Sequence, residues 1–281
     1  MLSRLPAFYR YVSYASFCRN GGDGMELDDA YANAAHIPSA DAYPEKWANA
    51  AAAYRTASRC ECDLVYGNSL RQRVDLFHPD RLAKGLVVFV HGGYWLRFDK
   101  SFWSHLAAGP VAHGWAVAMP SYDLCPEVRI SEIGDQIAAA IAAAAVRGPG
   151  PIRLVGHSAG GQLVARMTAR RLGANWQDRL EKVVSISPVA DLAPLMQTSM
   201  NADLQIDENE VLQESPVHLA APQLPVTVWV GADERPAFLE QAQKLTDHWG
   251  CAQVVAPSLH HFSVVEDLGD PHSALTKTVV G

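Results

Sequence analysis

The segment Gly156–Gly160 (GHSAG) places a serine between two glycines, a pattern in which the hydroxyl of Ser158 could act as a nucleophile. An apolar run, Ile152–Val155, enters the segment, and a helical pattern, Ala159–Arg171, leaves it. A strand that turns sharply into a helix strains the serine backbone, so small residues are needed on either side of it. The pattern therefore predicts a serine presented above a sheet, near the amino end of a helix.

A serine hydroxyl needs a general base at neutral pH, and the base needs a third group that holds its tautomer. Two late loops supply acids and imidazoles in adjacent pairs, each pair following an apolar strand: Asp233 and Glu234, then His260 and His261. We expect both loops at the same edge of the sheet as Ser158, because the carboxyl ends of parallel strands share one edge. Adjacent side chains point apart, so one member of each pair serves, and the pattern alone does not select it.

A second glycine-bearing loop, His91–Trp95 (HGGYW), also follows an apolar strand. Glycine lets backbone N–H groups approach a substrate oxygen closely, as stabilisation of a tetrahedral oxyanion requires. We expect the donors to be Gly92 or Gly93 together with the N–H of Ala159. His91, a single histidine at the start of the loop, is expected to orient the loop rather than to carry protons.

Apolar runs of the kind that is buried on both faces of a sheet alternate with helical patterns along most of the chain. The apolar runs are Leu86–Val90, Trp115–Met119, Ile152–Val155, Val183–Ile186, Val226–Val230 and Gln253–Ala256. The helical patterns are Pro44–Ala57, Ile130–Val146, Ala159–Arg171 and Ala237–Trp249, and Cys60–Tyr66 with Arg73–Phe77 predicts an antiparallel pair. This alternation predicts an α/β fold, with a mostly parallel sheet covered by helices on both faces.

We expect one domain over residues 25–281, because no linker or internal repeat divides it. Residues 191–220 interrupt the alternation and are expected to form a small inserted cap segment. Residues 1–24 hold three arginines and no acid before Asp23, and they end in a glycine-rich break. We expect them to be a dispensable extension, since the arginines interrupt the apolar core that a secretory signal needs.

Composition and charge exclude several classes of protein. At 281 residues, 49% hydrophobic and 19% charged, the chain has neither the low hydrophobicity nor the high charge of a disordered protein. Its formal net charge of −7 argues against a nucleic-acid binder, and no apolar stretch reaches the roughly 18 residues of a membrane helix. Five scattered cysteines favour a reducing cytosol over a disulfide framework, and Cys60 and Cys62 lack the second ligand pair of a metal site.

Together these motifs resemble the α/β-hydrolase superfamily across nearly all of residues 60–275. The form His91–Trp95 is similar to that of kynurenine formamidases, whereas hormone-sensitive-lipase-like esterases usually carry a third glycine at the position of Tyr94. The segments Gly156–Gly161 and Gly231–Phe238 also match the formamidases.

The resemblance also selects between the adjacent pairs. The formamidase pattern G-x-x-D-x-P-x-F implies that the acid is Glu234, a departure from that family's usual Asp. Its H-F pair near the carboxyl end of the chain falls on His261 and Phe262, which implies that the base is His261.

The resemblance implies a serine hydrolase of tryptophan breakdown, which cleaves an aryl formamide, N-formyl-L-kynurenine, without a metal or organic cofactor. Its partner is then a small aromatic acyl compound, and the sequence leaves a homodimer open. The implied aryl pocket has five candidate side chains: Tyr94, Trp95, Phe98, Tyr122 and Met200. A broad-specificity carboxylesterase would use the same machinery, and an inactive hydrolase fold that serves as a binding protein is the third alternative.

Overall fold

The computed structural model describes residues 22–148, 150–169 and 175–281, and a single sheet lies at the centre of this part of the chain. Its strands are β1 (Cys60–Val65), β2 (Arg73–Phe77), β3 (Leu86–Val90), β4 (Ala116–Pro120), β5 (Ile152–His157), β6 (Leu180–Ile186), β7 (Val226–Gly231) and β8 (Ala252–Ala256). They lie in the order β1-β2-β4-β3-β5-β6-β7-β8, with β2 antiparallel to β1 and β4 and all other neighbours parallel. The predicted mostly parallel sheet is confirmed, as is the antiparallel pair at its edge.

The α-helices of the described residues are α1 (Gly22–Ala30), α2 (Tyr43–Ala57), α3 (Ala108–Ala112), α4 (Ile130–Ala145), α5 (Ala159–Ala169), α6 (Asn201–Leu204), α7 (Glu208–Glu214), α8 (Pro236–Trp249) and α9 (Ala274–Val280). Four of them, α2, α4, α5 and α8, coincide with the predicted helices to within one residue where both ends are described. The predicted end of α5 at Arg171 lies outside the described residues. The sequence pattern did not predict α1, α3, α6, α7 and α9.

The side chains of the strands point alternately into two hydrophobic cores. The first core lies on the face that carries α4, α5 and α8, and the second core lies on the face that carries α2, α3 and α9. In β3, Val88 and Val90 pack with α4, α5 and α8 on one face, while Val87 and Phe89 pack with α2, α3 and α9 on the other. All four side chains are buried, because successive residues of a strand point to opposite faces of the sheet. This two-sided burial explains why the strands are continuous apolar runs.

Helix α1 includes Gly22, Asp23 and Gly24, so the last three residues of the predicted extension 1–24 are helical. The rest of that extension lies outside the described residues. None of the helices in the described ranges is long and apolar enough to cross a membrane.

The predicted inserted segment 191–220 lies between β6 and β7 and consists of α6, α7 and the 3-10 turns Ala193–Gln197 and Pro216–His218. It packs on the face of the sheet that carries α4 and α5. Part of its acidic run has a structural role, because the Asp207 side chain accepts a hydrogen bond of 2.8 Å from the Glu210 N–H at the start of α7.

A buried ion pair joins this inserted segment to α5. The side chains of Arg166 and Glu214 have no exposed surface, and Arg166 Nη2 donates to Glu214 Oε1 at 3.1 Å. Gln162 Nε2 donates to the Glu214 carbonyl oxygen at 2.7 Å. A Cβ atom at Gly134 of α4 would lie 2.3 Å from Arg166 Nη1, so the glycine makes room for the guanidinium.

Replacing Arg166 by methionine should destabilise the protein by about 3–5 kcal/mol, because the Glu214 carboxylate then stays buried without its arginine. Urea unfolding measures the change in the free energy of unfolding. The matched control is Arg147→Gln, since Arg147 pairs with Glu61 at 3.0 Å on the surface and should contribute less than about 1 kcal/mol. Equal effects of the two substitutions would contradict a stabilising buried pair.

Candidate active site

Ser158 occupies the turn between β5 and α5 with left-handed backbone geometry, at φ +58°. Its N–H donates to the carbonyl oxygen of Ile186 at 2.8 Å. The two motif glycines are sterically required. A Cβ atom at Gly156 would lie 2.0 Å from the Gly160 carbonyl oxygen, and a Cβ atom at Gly160 would lie 2.1 Å from the Val90 carbonyl oxygen. The strand–turn–helix geometry therefore agrees with the sequence pattern, and the serine stands at the amino end of α5.

Glu234 and His261 form a buried hydrogen-bonded pair. His261 Nδ1 donates to Glu234 Oε2 at 2.6 Å, and the Glu234 side chain has no exposed surface. The other carboxylate oxygen, Oε1, accepts from the Gly231 N–H at 2.8 Å and from Ser187 Oγ at 2.5 Å. These bonds fix the carboxylate and orient the His261 ring with Nδ1 toward Glu234. Sequence reasoning did not find Ser187, which has no motif of its own.

The neighbouring acid and imidazole are placed differently. Asp233 is exposed, and its backbone N–H bonds the Leu259 carbonyl oxygen at 3.0 Å. His260 Nδ1 accepts from the Ser263 N–H at 3.2 Å, and its Nε2 lies 3.2 Å from the hydroxyl of Tyr43. The structure therefore brings together Glu234 and His261, but not Asp233 and His260.

His157, the residue before Ser158, contacts the loop that carries His261. Its Nε2 donates to the His261 carbonyl oxygen at 2.9 Å, and the two ring centroids are 4.7 Å apart. The ring of Phe238 packs on His261 at 4.2 Å. Burial, and then the neighbouring imidazole of His261, hold the pKa of His157 well below its usual range, so this ring stays neutral. Ser158 directly follows His157, so this contact joins the chain beside the serine to the loop that carries His261.

The predicted oxyanion loop lies against Ser158. A Cβ atom at Gly92 would be 2.9 Å from Cβ of Ser158, so only glycine allows this approach. The next three residues all have positive φ angles, +112° at Gly93, +54° at Tyr94 and +57° at Trp95. This run of left-handed residues turns the loop back on itself beside Ser158. Ala159, the third predicted donor, is the first residue of α5.

The side chains of His91, Tyr122 and Arg71 hold the predicted oxyanion loop in place. His91 Nδ1 donates to the Gly92 carbonyl oxygen at 2.8 Å, and its ring stacks on Tyr122 at 4.3 Å. The Tyr122 hydroxyl donates to the His91 carbonyl oxygen at 2.8 Å. Arg71 donates from Nε to the Tyr122 carbonyl oxygen at 2.7 Å and from Nη2 to the carbonyl oxygen of Phe98. Burial lowers the pKa of His91 to about 4, in keeping with its predicted orienting role. The sequence offered no signal for Arg71.

The five predicted pocket residues fall into different environments. Trp95 and Tyr122 have no exposed surface and support the loop from the core, so they do not form an open pocket wall. Phe98 packs among the aromatic rings of the second core, 5.1 Å from Phe102. Tyr94 and Met200 are partly buried against the first core, on the side of α4, α5 and α8.

Acidification should destabilise the protein through His91. Its pKa of about 4 in the fold lies below the pKa of 6.5 of a free imidazole, so between these values the unfolded chain binds more protons and stability falls as the pH falls. Through His91 the free energy of unfolding should be lower by roughly 1–2 kcal/mol at about pH 5 than near neutral pH. Urea unfolding near pH 7 and pH 5 measures this change in the free energy of unfolding. His91→Gln should reduce the pH dependence of stability, and substitution of exposed His272 should leave it unchanged.

A family model described as the alpha/beta hydrolase fold matches residues 87–245, more than half of the chain. Among curated proteins, the kynurenine formamidase of Danio rerio is 24% identical over 249 residues, which cover 80% of this chain and 83% of that protein. The kynurenine formamidase of Salmo salar is 26% identical over 243 residues, which cover 78% of this chain and 80% of the relative.

Among solved structures, a candidate thioesterase from Silicibacter sp. TM1040 is similar with a TM-score of 0.89 at 51% sequence identity, covering 92% of this chain and 100% of that one. Esterase B from Lactobacillus rhamnosis is similar in fold alone, with a TM-score of 0.63 at 19% identity over 90% of this chain and 92% of that one. By its family match, its sheet and its structural relatives, the chain belongs to the α/β-hydrolase family.

Proposed function

We propose that this protein is a serine hydrolase that cleaves an aryl formamide, N-formyl-L-kynurenine, to L-kynurenine and formate. The observation that carries the proposal is the buried Glu234–His261 hydrogen bond of 2.6 Å, at the same carboxyl edge of the sheet as Ser158, which is held in a left-handed turn. The similarity to two fish kynurenine formamidases supports a formamide as the substrate. The four cysteines of the described residues are all free thiols, which supports a cytosolic location.

In the first half of the reaction, Ser158 Oγ attacks the formyl carbon while His261 Nε2 takes its proton. Glu234 keeps the Nδ1–H tautomer of His261 and stabilises the imidazolium that forms. The N–H groups of Gly92 or Gly93 and of Ala159 donate to the oxyanion of the tetrahedral intermediate, and each such donor contributes roughly 3–4 kcal/mol. No step requires a metal or organic cofactor.

In the second half, His261 protonates the leaving aryl amine, and the C–N bond breaks to leave a formyl ester on Ser158. Water then attacks this ester, with His261 again acting as the base. Formate leaves, and the serine regains its proton. Proton transfer of this kind contributes about 10²–10⁴-fold to the rate.

Hydrolysis of an ester or thioester is the second candidate function, favoured by the 51% identity to the candidate thioesterase. The same serine, base and oxyanion donors would serve, because the machinery does not distinguish an ester from an amide. The two functions therefore differ in how the leaving group is bound.

The two acids of the late loop should respond differently to substitution. Glu234→Gln should lower kcat by about 10³–10⁴-fold, because the amide cannot both fix the His261 tautomer and stabilise the imidazolium. Asp233→Asn is the matched control and should leave kcat nearly unchanged, since Asp233 is exposed. Steady-state kinetics on the purified variants measure both values of kcat. A large loss of kcat in Asp233→Asn would show that the acid is Asp233 and not Glu234.

A comparison of substrates tests the proposed function directly. We expect kcat/KM for N-formyl-L-kynurenine to exceed that for p-nitrophenyl acetate, and Ser158→Ala to abolish turnover of both. A strong preference for the ester would favour the second candidate function. Turnover retained in Ser158→Ala would exclude this serine as the nucleophile, and wild-type protein that turns over no acyl compound would indicate a binding protein.

A further inference from the structure

Two cysteines of β1, Cys60 and Cys62, meet through their side chains. Their Sγ atoms are 2.6 Å apart. In a regular strand, residues i and i+2 stand about 6.6 Å apart on one face, so parallel side chains at these positions do not come this close. A local departure from strand geometry therefore brings the two sulfurs together.

The departure is a β-bulge on the edge strand of the sheet. The register of β1 against β2 shifts after Glu61. Two residues, Cys62 and Asp63, then face Asp75 alone, and Asp63 has left-handed backbone geometry at φ +58°. A bulge of this kind re-aims a side chain, and here one of the bulged residues is Cys62, whose sulfur meets that of Cys60.

Contacts outside the two cysteines stabilise the bulge. The Asp63 N–H donates to Asp75 Oδ1 at 2.8 Å. The ammonium group of Lys100 lies 2.7 Å from Oδ1 of Asp63 and 2.7 Å from Oδ1 of Asp75, and Asp75 is buried. The surrounding structure therefore holds the backbone that carries the two thiols.

The two thiols lie in different environments. Cys62 is exposed on the edge strand and lines an open cavity of about 660 Å³, so a small molecule can reach its sulfur. Cys60 is partly buried, and this burial, followed by its hydrogen bond with Cys62, raises the pKa of the Cys60 thiol. Cys60 therefore stays protonated at neutral pH, whereas Cys62 presents its sulfur to solvent.

A close pair of thiols can bind a metal ion or form a disulfide. Among the residues that the structure describes, no group of three or more His, Cys, Asp or Glu side chains is placed to hold a metal ion. The two sulfurs are instead close to bonding distance, since a disulfide bond is about 2.05 Å long. The arrangement therefore favours a disulfide over a metal site.

We propose that Cys60 and Cys62 form a reversible redox site, which a low-molecular-weight disulfide oxidises to an internal disulfide. In the first step, the Cys62 thiolate attacks one sulfur of the small disulfide and expels one thiolate, which takes up a proton. In the second step, Cys60 loses its proton to solvent, and its sulfur attacks Sγ of Cys62 and expels the second small thiolate. Two protein thiols are thus oxidised, and the small disulfide is reduced to two thiols. These steps involve none of the residues of the candidate active site.

Trypsin isolates the pair for the test, because cleavage after Arg59 and Arg71 gives a peptide of residues 60–71 with no other cysteine. Folded protein is equilibrated with mixtures of reduced and oxidised glutathione, and free thiols are then blocked with iodoacetamide. As the share of oxidised glutathione rises, mass spectrometry should show the doubly blocked peptide replaced by an unblocked peptide that lacks two hydrogen atoms. Dithiothreitol should restore the doubly blocked form.

Urea-unfolded protein is the matched control for the role of the bulge. The equilibrium constant for closing the internal disulfide should be at least about tenfold lower in urea, because the unfolded chain does not hold the two sulfurs together. Equal equilibrium constants in folded and unfolded protein would overturn the proposal. A peptide that keeps two blocked thiols, or that carries glutathione as the end product, at every glutathione ratio would overturn it as well.

Single variants test the order of the two steps. Cys60→Ser should accumulate a glutathione adduct on Cys62, since no second thiol resolves it. In Cys62→Ser, Cys60 should be modified about tenfold more slowly, because that thiol is partly buried and protonated. Modification of Cys60 at an equal or higher rate would overturn the assigned order.

Cys251→Ser is the control for an unrelated thiol. Cys251 directly precedes β8, at the opposite edge of the sheet from β1, so its substitution should leave the oxidation of the 60–71 peptide unchanged. A changed oxidation in this variant would place the partner of the reactive thiol elsewhere and would overturn the pairing. The urea midpoint of each variant shows that it is folded.

Discussion

The left-handed turn at Ser158 is the constraint on which the rest of the site depends. A residue with a side chain pays about 1–3 kcal/mol for such backbone strain, so the conformation persists only where its neighbours impose it. The hydrogen bond from the Ser158 N–H to Ile186 and the close contact of Gly160 with the Val90 carbonyl oxygen do so. The same packing places Gly92 against the serine, so Ser158 and the predicted oxyanion loop are positioned together.

Three buried imidazoles lie around this turn, and one of them differs from the other two in its hydrogen-bond partner. His91 and His157 each donate one N–H to a backbone carbonyl, and burial keeps both neutral. His261 alone of the three donates to a carboxylate, that of Glu234. The hydrogen bond to a buried carboxylate fixes the orientation of the His261 ring, as the histidine of a Ser–His–acid arrangement requires. The two neutral rings hold the loop and the chain that precedes Ser158.

The elements around the candidate site come from two different parts of the chain. Ser158, Glu234 and His261 lie on loops at the carboxyl edge of the parallel strands, as the order of the sheet requires. Residues 26–37 come from outside the sheet and contact the same edge, where the Tyr94 hydroxyl donates to the carbonyl oxygen of Tyr31 at 2.7 Å. This division lets one hydrolytic apparatus serve different substrates, since specificity depends on side chains that the fold does not dictate.

By itself the sequence determined the features whose physical cause is local. The buried strands and the turn at Ser158 were predictable, because burial on both faces and a strained turn each demand particular residue types within a short window. Spacing could not choose between Asp233 and Glu234 or between His260 and His261, and the family resemblance chose by analogy. Only the tertiary structure brings Glu234 to His261 and turns their neighbours away, because adjacent side chains point apart and the packing of loops distant in sequence decides which of them meet.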